Sequence, residues 1–238
     1  MNSTERLNVF LPVGSDIKPL RFPWVTVAWI LVCLATFFLI TRPELQRAYQ
    51  ETITYGYAVV PSASNELWKY FAYQFFHSSL GHLLSNIWYF AIFGWIVESL
   101  LGARFFFIFA LVAGALAVVP EQIFQVNPSL PVVGASGAVA FAIGALVGLR
   151  PQSQIKFWLM ILPVGGFPNT LMVPIRYLVY FWLILQVSGL AMNQWLAPES
   201  VAYATHLTGF AIGALVGLAW RPRSTTLVDS PLVVPEKA

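Results

Sequence analysis

The chain has 238 residues, 58% of them hydrophobic and only 10% charged, with a mean hydropathy of +0.72. A soluble domain carries about 25% charged residues, so this composition excludes a water-exposed globular domain and predicts an all-α polytopic membrane protein. A net charge of +3 is too small to argue for nucleic acid, and the single cysteine, Cys33, excludes an internal disulfide framework and any cysteine-clustered metal site.

The first 22 residues hold Glu5, Arg6, Asp16, Lys18 and Arg21, with no apolar core and no small-residue cleavage site. They are expected to be a cytoplasmic segment rather than a cleaved signal. Six apolar spans follow, at about 24–41, 82–101, 105–120, 136–150, 173–190 and 203–220, which together make a membrane domain over 23–220. Each is expected to be a helix, because lipid offers no partner for an unpaired backbone group. With the N-terminus inside, the inner segments carry Arg6, Lys18, Arg21, Arg104, Arg150, Lys156, Arg176, Arg221, Arg223 and Lys237, and the outer ones Arg42, Arg47 and Lys69. That bias places both termini in the cytoplasm. The outer loop 42–81 is rich in aromatics in its second half (Trp68, Tyr70, Phe71, Tyr73, Phe75, Phe76), which suggests a segment at the outer interface. The run Phe157–Leu162 is too short to span and is expected to be a cytoplasmic interfacial piece. Residues 221–238, with three prolines, are expected to be a flexible cytoplasmic tail.

In this topology four polar residues lie shallowly on the outer side. His82 and Asn86 are four apart, on one face of the second span. Ser136 begins the fourth span within Gly134-Ala135-Ser136-Gly137, and His206 lies in the first turn of the sixth. Ser136, Ala140, Gly144 and Gly148 form one small-residue stripe, and Gly209, Gly213 and Gly217 another. Stripes of this spacing let two helices approach closely, which would bring Ser136 and His206 to one level. Taken singly, a Gly-x-Ser-Gly is most often a packing seam, and a lone membrane histidine is as readily a satisfied interhelical hydrogen bond. The conjunction on three helices favours chemistry: a serine nucleophile needs an adjacent base, and His206 could supply it. The Ser136 N–H, the Asn86 amide and a ring N–H of His82 are candidate donors to an oxyanion. Glu121 and Glu199 belong to outer loops, so a Ser–His dyad is expected rather than a triad. A small transporter is the contrasting reading. It is disfavoured because the inner helix halves lack ionisable residues except near their ends, such as Glu98 and Arg176.

The chain resembles the rhomboid family of intramembrane serine proteases, in its prokaryotic six-helix form. The resemblance runs from about Phe22 to Trp220 and is carried by His77-x4-His82-x3-Asn86, Gly134-x-Ser136-Gly137, His206-x2-Gly209, Gly94-x3-Glu98-x3-Gly102, and Trp68 followed by a basic residue. It implies a six-helix bundle in a bacterial or archaeal inner or plasma membrane. It also implies that Ser136 is the nucleophile, that His206 is the base, and that His82, Asn86 and the Ser136 N–H form the oxyanion hole. His77 would support the cavity, and Gly134, Gly137 and Gly209 the close packing around it. The implied partners are transmembrane protein substrates within the lipid bilayer, entering near the fifth span and the loop 191–202 and cut near their outer ends at small residues. No cofactor or metal is implied. A rhomboid-like pseudoprotease that only binds such segments is the alternative within the family. Two positions depart from the pattern: Lys69 stands where arginine is usual, and Ala140 where an aromatic usually packs on the histidine, so Phe141 or another group must hold that ring.

Overall fold

The computed structural model describes residues 7–19, 21–40, 56–63, 66–125, 127–162, 169–195 and 201–221. The expected flexible tail beyond residue 221, the loop 42–55 and Glu199 lie outside these residues. Apolar runs become helices where expected. Helix α1 is Trp24–Ile40, and α2 is the short Lys69–Ala72, continued by a tighter turn at Tyr73–Phe75. Helix α3 runs from Leu80 to Leu101 with a wider turn at Phe90–Gly94. Next come α4 (Ala103–Ala117), α5 (Glu121–Phe124), α6 (Ser136–Leu149), α7 (Ile175–Trp195) and α8 (Tyr203–Trp220). Among the described residues four segments are long and apolar enough to cross a bilayer: Leu80–Leu101, Ala103–Phe124, Ile175–Asn193 and Tyr203–Trp220. The apolar helices Trp24–Leu39 and Ser136–Leu149 are shorter.

The all-α expectation needs correction. Leu7–Ser15 (β1), Gln154–Leu162 (β2) and Asn169–Pro174 (β3) form an antiparallel sheet in the order β1-β2-β3. Leu11 pairs with Trp158, which pairs in turn with Thr170, and the β1–β2 register shifts between Pro12 and Gly14. The short apolar run Phe157–Leu162 lies in the central strand, and part of the N-terminal segment is its neighbour. Its period is two: Ile155 and Phe157 are buried, Lys156 and Trp158 exposed, the alternation of a half-buried strand. The sheet is tied to α3 by the Trp88 indole N–H, which donates to the Pro12 carbonyl (2.9 Å).

Helix α6 is the centre of the bundle. Twelve of its fourteen residues are buried, and its seam with α8 is the most extensive helix contact. The two glycine stripes explain that closeness. A Cβ on Gly144 would strike the Phe210 carbonyl, and one on Gly213 the Phe141 carbonyl. A Cβ on Gly209 would strike the carbonyl of Gly137. Backbone-to-backbone approach of this kind is what small residues allow in lipid, where no hydrophobic effect drives helices together. At the far end of α3, Glu98 turns inward. Its carboxylate accepts the Val25 N–H (3.0 Å), the Thr26 N–H (2.8 Å) and the Thr26 hydroxyl (2.7 Å), capping the start of α1. Gly94 faces the same threonine and Gly102, at φ +83°, ends α3, so the Gly-Glu-Gly spacing is an anchor for α1.

Candidate active site

The loop before α6 sets the position of Ser136. It is pinned by a bridge between Val59 and Val132, by the Gly134 N–H donating to the Tyr73 carbonyl (3.0 Å), and by the Ala135 N–H donating to His77 Nε2 (3.4 Å). His77 lies outside the membrane-spanning segments, is fully buried, and packs edge-on to His82 with ring centroids 5.1 Å apart. Burial, with His82 adding to it, holds its pKa down at about 3. The ring is therefore neutral in any physiological medium, and its Nε2 keeps the lone pair that accepts from Ala135. Tyr73 donates to the Gly114 carbonyl (2.6 Å), and burial pushes its phenol pKa up. The aromatic half of the first loop is thus a buttress for the serine loop. Its outer edge (Leu67, Trp68, Phe71) is exposed. Lys69 lies over the Trp68 ring at 5.9 Å, and Trp68 donates to Glu66 (2.8 Å).

A cavity of about 600 Å³ opens beside this loop, and its wall includes Ser78, His82, Asn86, Ser136 and His206. An adjoining cavity is again lined by Asn86, Ser136 and His206, with Ala140 and Trp182 beyond them. The structure therefore brings together the four polar residues that sequence spacing placed at one depth. Ser136 is the first residue of α6, so its N–H is one of the unpaired donors of a helix start. Gly134, at φ +120°, lies so close to His82 that a Cβ there would be 2.7 Å from ring atoms Cε1 and Nε2, and 3.5 Å from Asn86 Nδ2. His82 is further fixed by Ser78, whose hydroxyl is 3.2 Å from Nδ1. Asn86 Nδ2 is buried with no hydrogen-bond partner among the described residues. An unpaired buried donor costs about 1–3 kcal/mol, so this amide is available to an acceptor in the cavity. Ser136 and His206 line the same cavity without a direct hydrogen bond in this state. Such bonds are often long before substrate is present.

Two residues that sequence reasoning did not use hold the histidine helix. Glu121, expected in an outer loop, is buried. Its carboxylate accepts the Thr205 N–H (2.8 Å) and the Thr205 hydroxyl (3.1 Å), capping α8 one residue before His206. The signal for it was Thr205 itself, in the first turn of a span where a cap is needed. Gln186 of α7 places Oε1 2.8 Å from His206 Nδ1. Its signal was an amide inside an apolar run, costly unless it faces a partner. Phe141 is buried against α8 and shows no ring contact with the histidine, whereas Gln186 bonds it and Tyr203 packs edge-on at 6.4 Å.

Glu121→Ala would leave two buried donors of Thr205 unpaired, at about 1–3 kcal/mol each. The expected result is a lower unfolding temperature in detergent together with reduced activity. Unchanged thermal stability would show that the cap is dispensable.

The rhomboid domain family model matches residues 64–223, well over half of the sequence. That stretch contains every residue of the cavity wall, both glycine stripes of the α6–α8 seam and the Glu121 cap. This mostly helical membrane protein belongs to the rhomboid family.

Proposed function

We propose that the chain is an intramembrane serine endopeptidase. Ser136 Oγ attacks a peptide carbonyl, His206 takes its proton and returns it to the leaving amine, and water then hydrolyses the acyl-enzyme. The Ser136 N–H, the Asn86 amide and the His82 ring N–H stabilise the oxyanion, a single such donor supplying roughly 2.7–4 kcal/mol. The observation that carries this reading is the convergence of Ser136, His206 and the unpaired Asn86 amide on one cavity.

Depth supports an intramembrane site. Helix α6 has 14 residues, about 21 Å at 1.5 Å per residue, against about 30 Å of hydrocarbon. With its C-terminal end at the opposite interface, Ser136 starts below the outer surface, and the cavity is the route for water. The substrates are transmembrane segments of other proteins, cut near their outer ends in six-span topology with both termini cytoplasmic. Among the described helices α7 is the candidate for the side of approach, since Tyr180, Phe181, Ile184, Leu185 and Val187 are all exposed.

The test is reconstitution in liposomes with single-pass substrates and a fluorophosphonate probe. The expected result is covalent labelling and products cut at one site near the outer end of the segment. Binding of the segment with neither labelling nor cleavage would make the chain a pseudoprotease instead.

A further inference from the structure

The base of a Ser–His dyad needs its lone pair on the nitrogen that faces the serine. Free imidazole exchanges between two tautomers, so something must fix the proton on the other nitrogen. The only hydrogen bond of the His206 ring among the described residues is the one from Nδ1 to Gln186 Oε1, at 2.8 Å. Gln186 is 8% exposed on a helix whose neighbouring positions, Leu185 and Val187, are 48% and 56% exposed. The face it occupies is the one that packs on α8. Trp182, one turn before it, meets Phe210 with ring centroids 5.6 Å apart. Gly189, one turn after it, lies against the Tyr203 ring so closely that any side chain there would collide. Gln186 is therefore clamped from both sides at the level of His206.

We infer that Gln186 is a positioning residue that completes a Ser136–His206–Gln186 relay by accepting the Nδ1 proton and leaving the Nε2 lone pair for Ser136. This rests on the proposed protease function. The amide must present its oxygen. An NH₂ group donating to Nδ1 would force a proton onto Nε2, which could not then accept one from Ser136. In the step itself the Oγ–H proton passes to Nε2, the serine oxygen bonds to the substrate carbonyl carbon while the C=O pair moves onto its oxygen, and the Nδ1 proton stays on the Gln186 bond. As the tetrahedral intermediate collapses, the C–N bond breaks and the imidazolium returns the Nε2 proton to the leaving amine, leaving an ester on Ser136. A neutral amide fixes the tautomer as a carboxylate does, without placing a buried charge among lipid-facing helices.

The experiment uses the full chain, ¹⁵N-labelled at histidine, in micelles and in liposomes. In the parent protein the His206 ring, assigned by its loss in His206→Ala, should carry its proton on Nδ1. Gln186→Met, near-isosteric and without an acceptor, should shift that ring toward the Nε2-protonated tautomer. It should also lower kcat by up to about 100-fold, the scale of a misplaced catalytic group, with KM changed less than about threefold, at an unfolding temperature close to that of the parent. Gln186→Glu, which restores an acceptor, should keep the Nδ1 proton and most of kcat. An Nε2-protonated His206 in the parent, or full kcat in Gln186→Met, would overturn the relay. Since the tautomer is read without turnover, an inactive parent with an Nδ1 proton sinks the protease reading and leaves the positioning by Gln186 standing. Should Gln186→Met fail to fold, the parent tautomer and Gln186→Glu decide the matter.

Discussion

Ser136→Ala is expected to abolish both cleavage of a transmembrane substrate and labelling by a fluorophosphonate, while the protein keeps its unfolding temperature. The loss should reach roughly 10⁴-fold or more, the scale seen when a hydrolase loses its nucleophile. The fold should survive because the Ser136 side chain is half-buried at a cavity wall and makes no hydrogen bond among the described residues. Alanine also suits the seam, whose neighbouring positions Ala135 and Ala138 are already buried alanines. Gel-based detection of the probe with a cleavage assay would check both halves. Retained labelling would move the nucleophile elsewhere, and retained cleavage would end the serine mechanism.

The second large effect is expected from a change that removes no reacting group. Gly134→Ala introduces a Cβ at φ +120°, a backbone region that side chains rarely adopt and that costs about 1–3 kcal/mol. The same Cβ would sit 2.7 Å from Cε1 and Nε2 of His82, well inside contact distance, so the ring must swing away. If His82 is the oxyanion donor proposed above, displacing it by about 1 Å is enough for a loss on the order of 10²-fold. A variant that folds at a somewhat lower temperature, labels slowly and loses most of kcat is the expected outcome. Wild-type kcat in Gly134→Ala would mean that His82 gives nothing to the oxyanion. A matched control is Gly81→Ala, since a Cβ at Gly81 meets nothing within 4 Å. That change should leave both stability and activity near wild type.

These two variants separate the roles of a single short loop. In the proposed mechanism Ser136 acts through its hydroxyl, and Gly134 through the room it leaves for His82. Around them the buttress is indirect: His77 receives the Ala135 N–H, Tyr73 receives that of Gly134, and Glu121 holds the start of the helix that carries His206. Each acts on the site by fixing backbone rather than by touching a reacting atom.

Much of this was determined by the sequence alone. Apolar runs of span length are helices in lipid, and small residues four apart on two of them allow those helices to meet closely. The seam between the helices that begin with Ser136 and carry His206, and the wall those two residues share with His82 and Asn86, were therefore expected from spacing. What spacing could not supply was any partner that depends on a third element. The sheet escaped notice because β1 and β2 pair across more than a hundred residues, and Phe157–Leu162 read as a short apolar run. Glu121 looked like a loop acid because its partner Thr205 is 84 residues away. Gln186 looked like an isolated amide in an apolar helix, and only the packing of α7 on α8 through Trp182 and Gly189 shows that it meets the His206 ring. Local pattern decides which face of a helix is buried, because period and polarity are properties of one segment. Which polar group meets which is decided by the angle and offset between segments, and those exist only in the folded bundle.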